Sequence, residues 1–431
     1  MKRLTSLIKS ALMGAACVAT ASVMAHDMVP GKAQTQPILL TNGTVFTISD
    51  GTKKDTDILI VDGKIAKVGQ DLSASDAKVI DLAGQHVYPG LVALSTQLGL
   101  VEIGAVRSTR DLKEVSNTNP DVNARVAFNV DSEIIPTIRS NGVSYAQVYP
   151  DGNLLMGQSS IMNLDGWDFD DATVAASTGL HIKWPATRVS KGWWVSATPE
   201  QQKKAAMKKL KDLADYFGKA QAYFEAEKAG INRGKDSRWD AMIPVFEGER
   251  DVYIHANDER QIEQALMFSK LYNIKPIIVG GEDAWRMADE LAAKQIEVIY
   301  TAPYGIPSRD KERYDQLYAA PAVMAKAGVP FAIAIDSTWP VRNLAFAAGN
   351  AVTFGLDKDQ ALKAITLDAA KIAGVDDKLG SIEPGKAATL VISKGDIMDF
   401  IGHDVKMMLI DGREVDLNNR HKQLYNKYKQ R

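Results

Sequence analysis

Few stretches of this chain carry ready-made chemistry, and the nearest ones fail on single residues. Gly380-Ser381-Ile382-Glu383-Pro384-Gly385-Lys386-Ala387 has the glycine and lysine spacing of a phosphate-binding loop. Such a loop needs Ser or Thr after the lysine to hold the phosphate's metal, and a helix after that. Ala387 stands there instead, and Pro384-Gly385 reads as a turn between strands. Gly157-Gln158-Ser159-Ser160-Ile161 lacks the second glycine of a serine nucleophile elbow. No cysteine pair or close His-x-x-Glu-His spacing offers a standard zinc site. Lys203, Lys204, Lys208, Lys209 and Lys211 fall with Asp212, Asp215 and Glu225 on one helical pattern and read as a solvated face.

The elements that must position any site are clearer. With 431 residues the chain is long enough for two or three domains, or for one large barrel with an appendage. Hydrophobic residues are 45% and charged residues 24%, a globular balance. Lys+Arg at 51 against Asp+Glu at 53 leaves no basic excess for nucleic acid. Short β-rich runs open the chain: Ile38–Leu40, Thr44–Ile48, Asp57–Val61, Lys64–Gly69 and Lys78–Leu82. Asn42-Gly43 and Asp62-Gly63 read as hairpin turns between them. The same texture returns at Ala388–Ile392 and Lys406–Ile410, so residues 38–88 and 379–415 are expected to build one small β-sandwich. Between them, residues 89–378 alternate strands with helices. The run from Val252–His255 through Glu259–Leu271, Pro276–Val279, Asp283–Ala293, Ile296–Tyr300 and Tyr314–Ala327 to Phe331–Ile335 predicts a parallel (β/α)8 barrel. A doubly wound sheet is the alternative. A long helix is expected from Pro199 to Gly230, an aromatic insertion over the mouth at about 164–200, and a basic tail at 416–431.

Lys2, Arg3 and Lys9, the apolar run Ala11–Ala25 and the small-x-small Val23-Met24-Ala25 read as a cleavable export signal over residues 1–25, with a single-span anchor or a lipoprotein at Cys17 as alternatives. Cleavage would remove three Lys/Arg and the one cysteine, leaving a mature chain without disulfides or thiol chemistry, as suits the periplasm.

The order of these segments resembles the amidohydrolase superfamily, closest to its imidazolonepropionase- and prolidase-like branch. The resemblance rests on His86-Val87-Tyr88-Pro89-Gly90-Leu91-Val92 leading into the barrel, on the helix Ala361–Ala370, and on Leu379–Val391 leading out. It implies a metal-dependent hydrolase of C–N bonds, with zinc the family's usual ion. The metal lowers the pKa of a bound water, and an Asp on strand 8 takes its proton. The family ligands are a His-x-His after strand 1, a His on strand 5, often one on strand 6, and the strand-8 Asp.

On that frame His255 matches the strand-5 ligand and Asp336 the strand-8 Asp. Ser95 and Gln97 stand where the His-x-His would be, and Gly280-Gly281 at the strand-6 position. Two ligands remain where a tight site wants three or four. The resemblance therefore implies Asp336 as base, His255 as ligand or acid, and Ser95 or Gln97 as an oxyanion or water contact, with divalent metal weak or absent. Arg107, paired with Arg110 after strand 1, and Trp184 are candidate substrate contacts; His181 and Lys183 could reach the mouth. Two functions stay open: an exported hydrolase acting on an amide, peptide or cyclic amide, and a non-catalytic homologue that binds a small ligand or pairs with an active paralogue. A homo-oligomer is possible.

Overall fold

The computed structural model describes residues 28–231 and 234–431, so the expected signal segment lies outside the described residues. Five strands come first: β1 (Ile38–Phe46), β2 (Thr52–Val61), β3 (Lys64–Gly69), β4 (Lys78–Asp81) and β5 (His86–Pro89). Eight more follow: β6 (Leu91–Thr96), β7 (Val143–Val148), β8 (Leu155–Asn163), β9 (Thr173–Lys183), β10 (Asp251–Ala256), β11 (Pro276–Gly280), β12 (Glu297–Tyr300) and β13 (Phe331–Ile333). The last are β14 (Leu390–Ser393), β15 (Val405–Ile410) and β16 (Arg413–Glu414).

The two ends of the chain meet in one sheet, ordered β16-β15-β14-β5-β1-β2-β3, with β4 added alongside β1. The join is β5 against β14, antiparallel, with Pro89 opposite Leu390. Neither end has enough strands to bury a face alone. Together they bury Leu40, Val45, Ile58, Ile60, Val87, Leu390 and Ile392. One expected hairpin is corrected here. Asn42-Gly43 lies inside β1, where Asn42 at φ 56° makes an irregularity in the pairing rather than a turn. Asp62-Gly63 and Asp411-Gly412 do turn the chain, with both residues of each pair at positive φ, as tight hairpins demand.

The middle of the chain forms a nearly closed barrel, β13-β12-β11-β10-β9-β8-β7-β6. Gln97 N, just past β6, meets Ser337 O, just past β13, at 3.5 Å. The barrel is not all parallel: β8 runs antiparallel to both β7 and β9. Residues 149–154 and 164–172 are too few for a crossover helix, which takes a dozen residues or more, so the chain turns back on itself twice. The expected insertion at 164–200 is corrected with it. Residues 173–183 are barrel strand β9, and 199–228 belong to a helix.

That helix, Pro199–Lys228, starts on a capping box in which Thr198 and Gln201 satisfy each other's backbone N–H. It buries Leu213, Phe217, Ala220 and Tyr223 at helical spacing, while Lys208 and Lys211 pair with Asp212 and Asp215 on the solvated side.

Strand alternation decides which side chains enter the barrel. Val252, Ile254 and Ala256 of β10 pack outward against helices, whereas Tyr253 joins Val92, Leu94, Tyr145, Ile277, Val279, Ile299, Ala332 and Ala334 inside. The barrel is a filled core up to its mouth. A buried ion pair ties its lower parts together: Arg139 Nη1 lies 2.8 Å from Asp165 Oδ1, and Gly31 N donates to Oδ2 at 2.9 Å.

The entry glycine of the barrel is sterically required. A Cβ on Gly90 would lie 2.1 Å from Ser144 Oγ and 2.5 Å from Thr389 Cγ2. Gly90→Ala is expected to cost about 1–3 kcal/mol through overpacking at the join between sheet and barrel. Urea denaturation reads this directly; an unchanged midpoint would show that Ser144 and Thr389 give way.

Candidate active site

Four interior-facing positions at or just past strand C-terminal ends converge: Tyr149 after β7, His181 on β9, His255 on β10 and Asp336 after β13. Alternation places them there. Tyr149 is four residues beyond the interior Tyr145, His255 two beyond Tyr253, and Asp336 two beyond Ala334.

His181 is fully buried, its ring stacked between Tyr149 at 4.9 Å and Tyr253 at 4.7 Å. Its Nδ1 lies 2.9 Å from Nε2 of the half-buried His255, and its own Nε2 has no partner. The tautomer that orphans a lone pair rather than an N–H has His181 donating through Nδ1, an assignment made from this hydrogen-bond pattern. Burial pushes His181 well below the ordinary histidine value, and the His255 charge acts the same way. Burial, with the Lys183 ammonium, brings His255 down to about 3.

The Tyr149 hydroxyl donates to Asp336 Oδ1 at 2.7 Å. Asp336 is crowded by protein yet open to solvent at the mouth. Burial raises its carboxyl above the usual range, against the Tyr149 hydrogen bond and the Lys183 charge. Burial first, and then the Asp336 charge, push the Tyr149 phenol well up, so it stays a proton donor. Lys183 Nζ pairs with Asp151 Oδ1 at 3.2 Å on the rim.

Ser95 ends the interior face of β6 at φ 54°, where the β6–β7 register shifts. The Gln147 amide holds it there, Oε1 accepting from Ser95 N at 3.2 Å and Nε2 donating to Thr178 Oγ1 at 3.1 Å. The buried Ser95 hydroxyl lies beside the Tyr149 phenol without hydrogen-bond geometry. Gln97 is half-buried next to the backbone that follows Asp336. At the strand-6 position Gly280 has φ 100°, and a Cβ there would meet Asn257 Oδ1 at 2.1 Å.

One expected substrate contact is placed elsewhere. Trp184 is 4% exposed, packed edge-on against Phe268 at 5.5 Å with its indole N–H on Gln264. It is a core side chain, because the residue after Lys183 alternates outward toward the helix Glu259–Tyr272. Arg107 is exposed on the short turn Arg107–Thr109. Tyr149 was missed by sequence reasoning, although Tyr149-Pro150-Asp151 directly follows a barrel strand, where functional residues gather.

The two neutral imidazoles carry a stability consequence. The unfolded chain takes up protons near the ordinary value of 6.5, which the folded pair refuses until far lower pH. Stability is therefore expected to be full above about pH 6.5 and to fall as pH drops toward 3. Urea midpoints from pH 7.5 to 4.5 test this, and the His181→Gln, His255→Gln pair should flatten the fall. A wild-type midpoint constant over that range would contradict it.

Comparison with known proteins agrees with this geometry. Residues 286–415, which carry Asp336 and the return to the sheet, match the amidohydrolase family. A crystal structure of an amidohydrolase from Thermotoga maritima MSB8 superposes with a TM-score of 0.79 at 27% identity, covering 88% of this chain and 99% of that one. An imidazolonepropionase from Flavobacterium psychrophilum is 22% identical over 295 residues, 59% of this chain and 71% of its own. A dihydroorotase from Syntrophotalea carbinolica is 44% identical over 61 residues, so the match spans 14% of that enzyme's length. With a barrel framed by a sheet from both chain ends, His255 and Asp336 at its mouth, and these matches along its length, the chain belongs to the amidohydrolase superfamily.

Proposed function

We propose that the protein is an exported hydrolase of C–N bonds in an amide, peptide or cyclic amide, working without a tightly held metal. The observation that carries this is the Tyr149–Asp336 hydrogen bond at the solvent-open mouth: it orients a carboxylate whose Oδ1 is engaged and whose Oδ2 is left to act as base. Asp336 takes a proton from water as its oxygen bonds to the carbonyl carbon, and passes it to the leaving nitrogen as the C–N bond breaks. Neutral His255 contributes a hydrogen bond, and the half-buried Gln97 supplies a polar contact to the developing oxyanion.

Zinc of the family kind does not fit the donors present. His255 Nε2 is engaged by His181, Asp336 Oδ1 by Tyr149, and positions 95, 97 and 280 offer a hydroxyl, an amide and no side chain. Among the described residues, no group of three or more His, Cys, Asp or Glu is placed to hold a metal ion.

The test is turnover of a panel of N-acyl amino acids, dipeptides and cyclic amides after dialysis against chelator, with elemental analysis of the same sample. Turnover with well under one equivalent of metal is expected. One equivalent or more of retained zinc would overturn the metal-free reading.

The internal engagement of both His255 and Asp336 favours a second reading, a non-catalytic homologue that binds a small ligand or pairs with an active paralogue. A panel compound that raises the melting temperature without being hydrolysed would decide for it.

A further inference from the structure

We propose that Tyr149 itself, and not only the absence of the imidazoles at 95 and 97, closes this centre to a cation: its ring packs against His255, and its hydroxyl takes Asp336 Oδ1, the carboxylate oxygen a metal would need. The inference deepens the metal-free reading and rests on it, but it does not depend on hydrolysis.

One residue meets His181, His255, Asp336, Ser95 and Thr96. The Tyr149 ring centroid is 4.9 Å from that of His255 and 4.9 Å from that of His181. Its hydroxyl reaches Asp336 Oδ1 at 2.7 Å and lies beside the Ser95 hydroxyl. Its backbone N–H donates to Thr96 O at 3.1 Å, on the residue between Ser95 and Gln97. A zinc ion sits about 2 Å from each imidazole nitrogen and carboxylate oxygen. Ring carbons need about 3.5–4 Å to any non-bonded neighbour. A cation shared by His255 and Asp336 would compete with the Tyr149 hydroxyl for Oδ1 and meet a ring already packed against His255.

The substitution is also electrostatically coherent. A metal would neutralise Asp336 with positive charge, whereas a phenol offers one neutral hydrogen bond. The neighbouring His181 and His255 bond to each other, Nδ1 to Nε2 at 2.9 Å. The ring is stacked on His181 and its hydroxyl is bonded to Asp336, so it does not swing aside without losing both.

The experiment measures zinc binding to dialysed protein with zinc chloride as the only added ligand, and cobalt absorption as the coordination readout. Four proteins are compared: wild type, Ser95→His/Gln97→His, that double variant with Tyr149→Ala, and the double variant with Tyr149→Phe. The double variant is expected to stay close to wild type. Adding Tyr149→Ala is expected to tighten zinc binding by roughly a hundredfold or more, with cobalt spectra showing nitrogen and oxygen ligands. Tyr149→Phe keeps the ring and should leave the site closed. The proposal is overturned if the double variant binds zinc as tightly as the triple, if Tyr149→Phe opens the site as well as alanine, or if the folded triple gains nothing. Wild type already holding one equivalent would instead sink the metal-free reading beneath it. Tyr149→Leu in the double background serves the same comparison if the alanine variant does not fold.

Discussion

Asp165→Ala is expected to destabilise the fold by about 3–5 kcal/mol, the usual cost of breaking a buried ion pair from one side. The Asp165 side chain is 0% exposed and that of Arg139 is 3% exposed. Arg139 spends its guanidinium on Asp165 Oδ1, Leu164 O and Asp416 O, at 2.8, 3.0 and 3.1 Å. Arg413 Nε approaches the same carboxylate at 3.8 Å, and Gly31 N donates to it. One carboxylate thus joins the segment before β1, the helix Ile135–Arg139 and the strand β16. Removing it takes the counter-charge from two guanidinium groups, that of Arg139 almost fully buried. Asp165→Asn should cost less, because the amide oxygen still accepts from Arg139 or Gly31. Replacing the pair together, as Arg139→Met with Asp165→Leu, should recover most of the loss, since the desolvation of both charges disappears. Urea denaturation of the three variants checks the set. A loss under 1 kcal/mol for Asp165→Ala would mean that water enters the junction.

Asp336→Asn is expected to lower kcat/KM on a substrate found by the panel by about 10²–10⁴-fold, the range for a positioned general base. The asparagine oxygen still accepts from Tyr149, so the mouth should keep its shape and KM should change little. Burial holds the Asp336 carboxyl above its usual range, and the base must be ionised to work. Activity should thus rise with pH through an acidic limb displaced upward from that of a free carboxylate. Retention of more than a tenth of the wild-type rate by Asp336→Asn would remove Asp336 from the chemistry. Steady-state kinetics with the melting temperature as a folding control makes the distinction.

Much of this architecture is written in local patterns. Alternating apolar residues at both chain ends implied a shared sheet, since neither end has strands enough to bury one face. The βα succession from Val252 to Ile335 implied a barrel and set which residues of β10 and β13 face inward. Once the chain was aligned on Pro89-Gly90 and Gly380–Lys386, His255 and Asp336 followed by position. The direction of β8 was not legible, because the Leu155–Asn163 pattern shows a strand but not its partner, and only the short connections around it force the reversal. Asn42-Gly43 has the local preference for a turn, but pairing with β2 on one side and with β4 and β5 on the other holds it in a strand. The register of β9 turns Trp184 outward, away from the mouth. Tyr149 emerged from tertiary structure alone. Its backbone lies on Thr96, its ring against two histidines and its hydroxyl on Asp336, partners 53, 32, 106 and 187 positions away in sequence, brought together only when the barrel closes. Local sequence determines which face a side chain takes; what it meets there depends on strands far apart in the chain, and the chemistry of this mouth lies in those meetings.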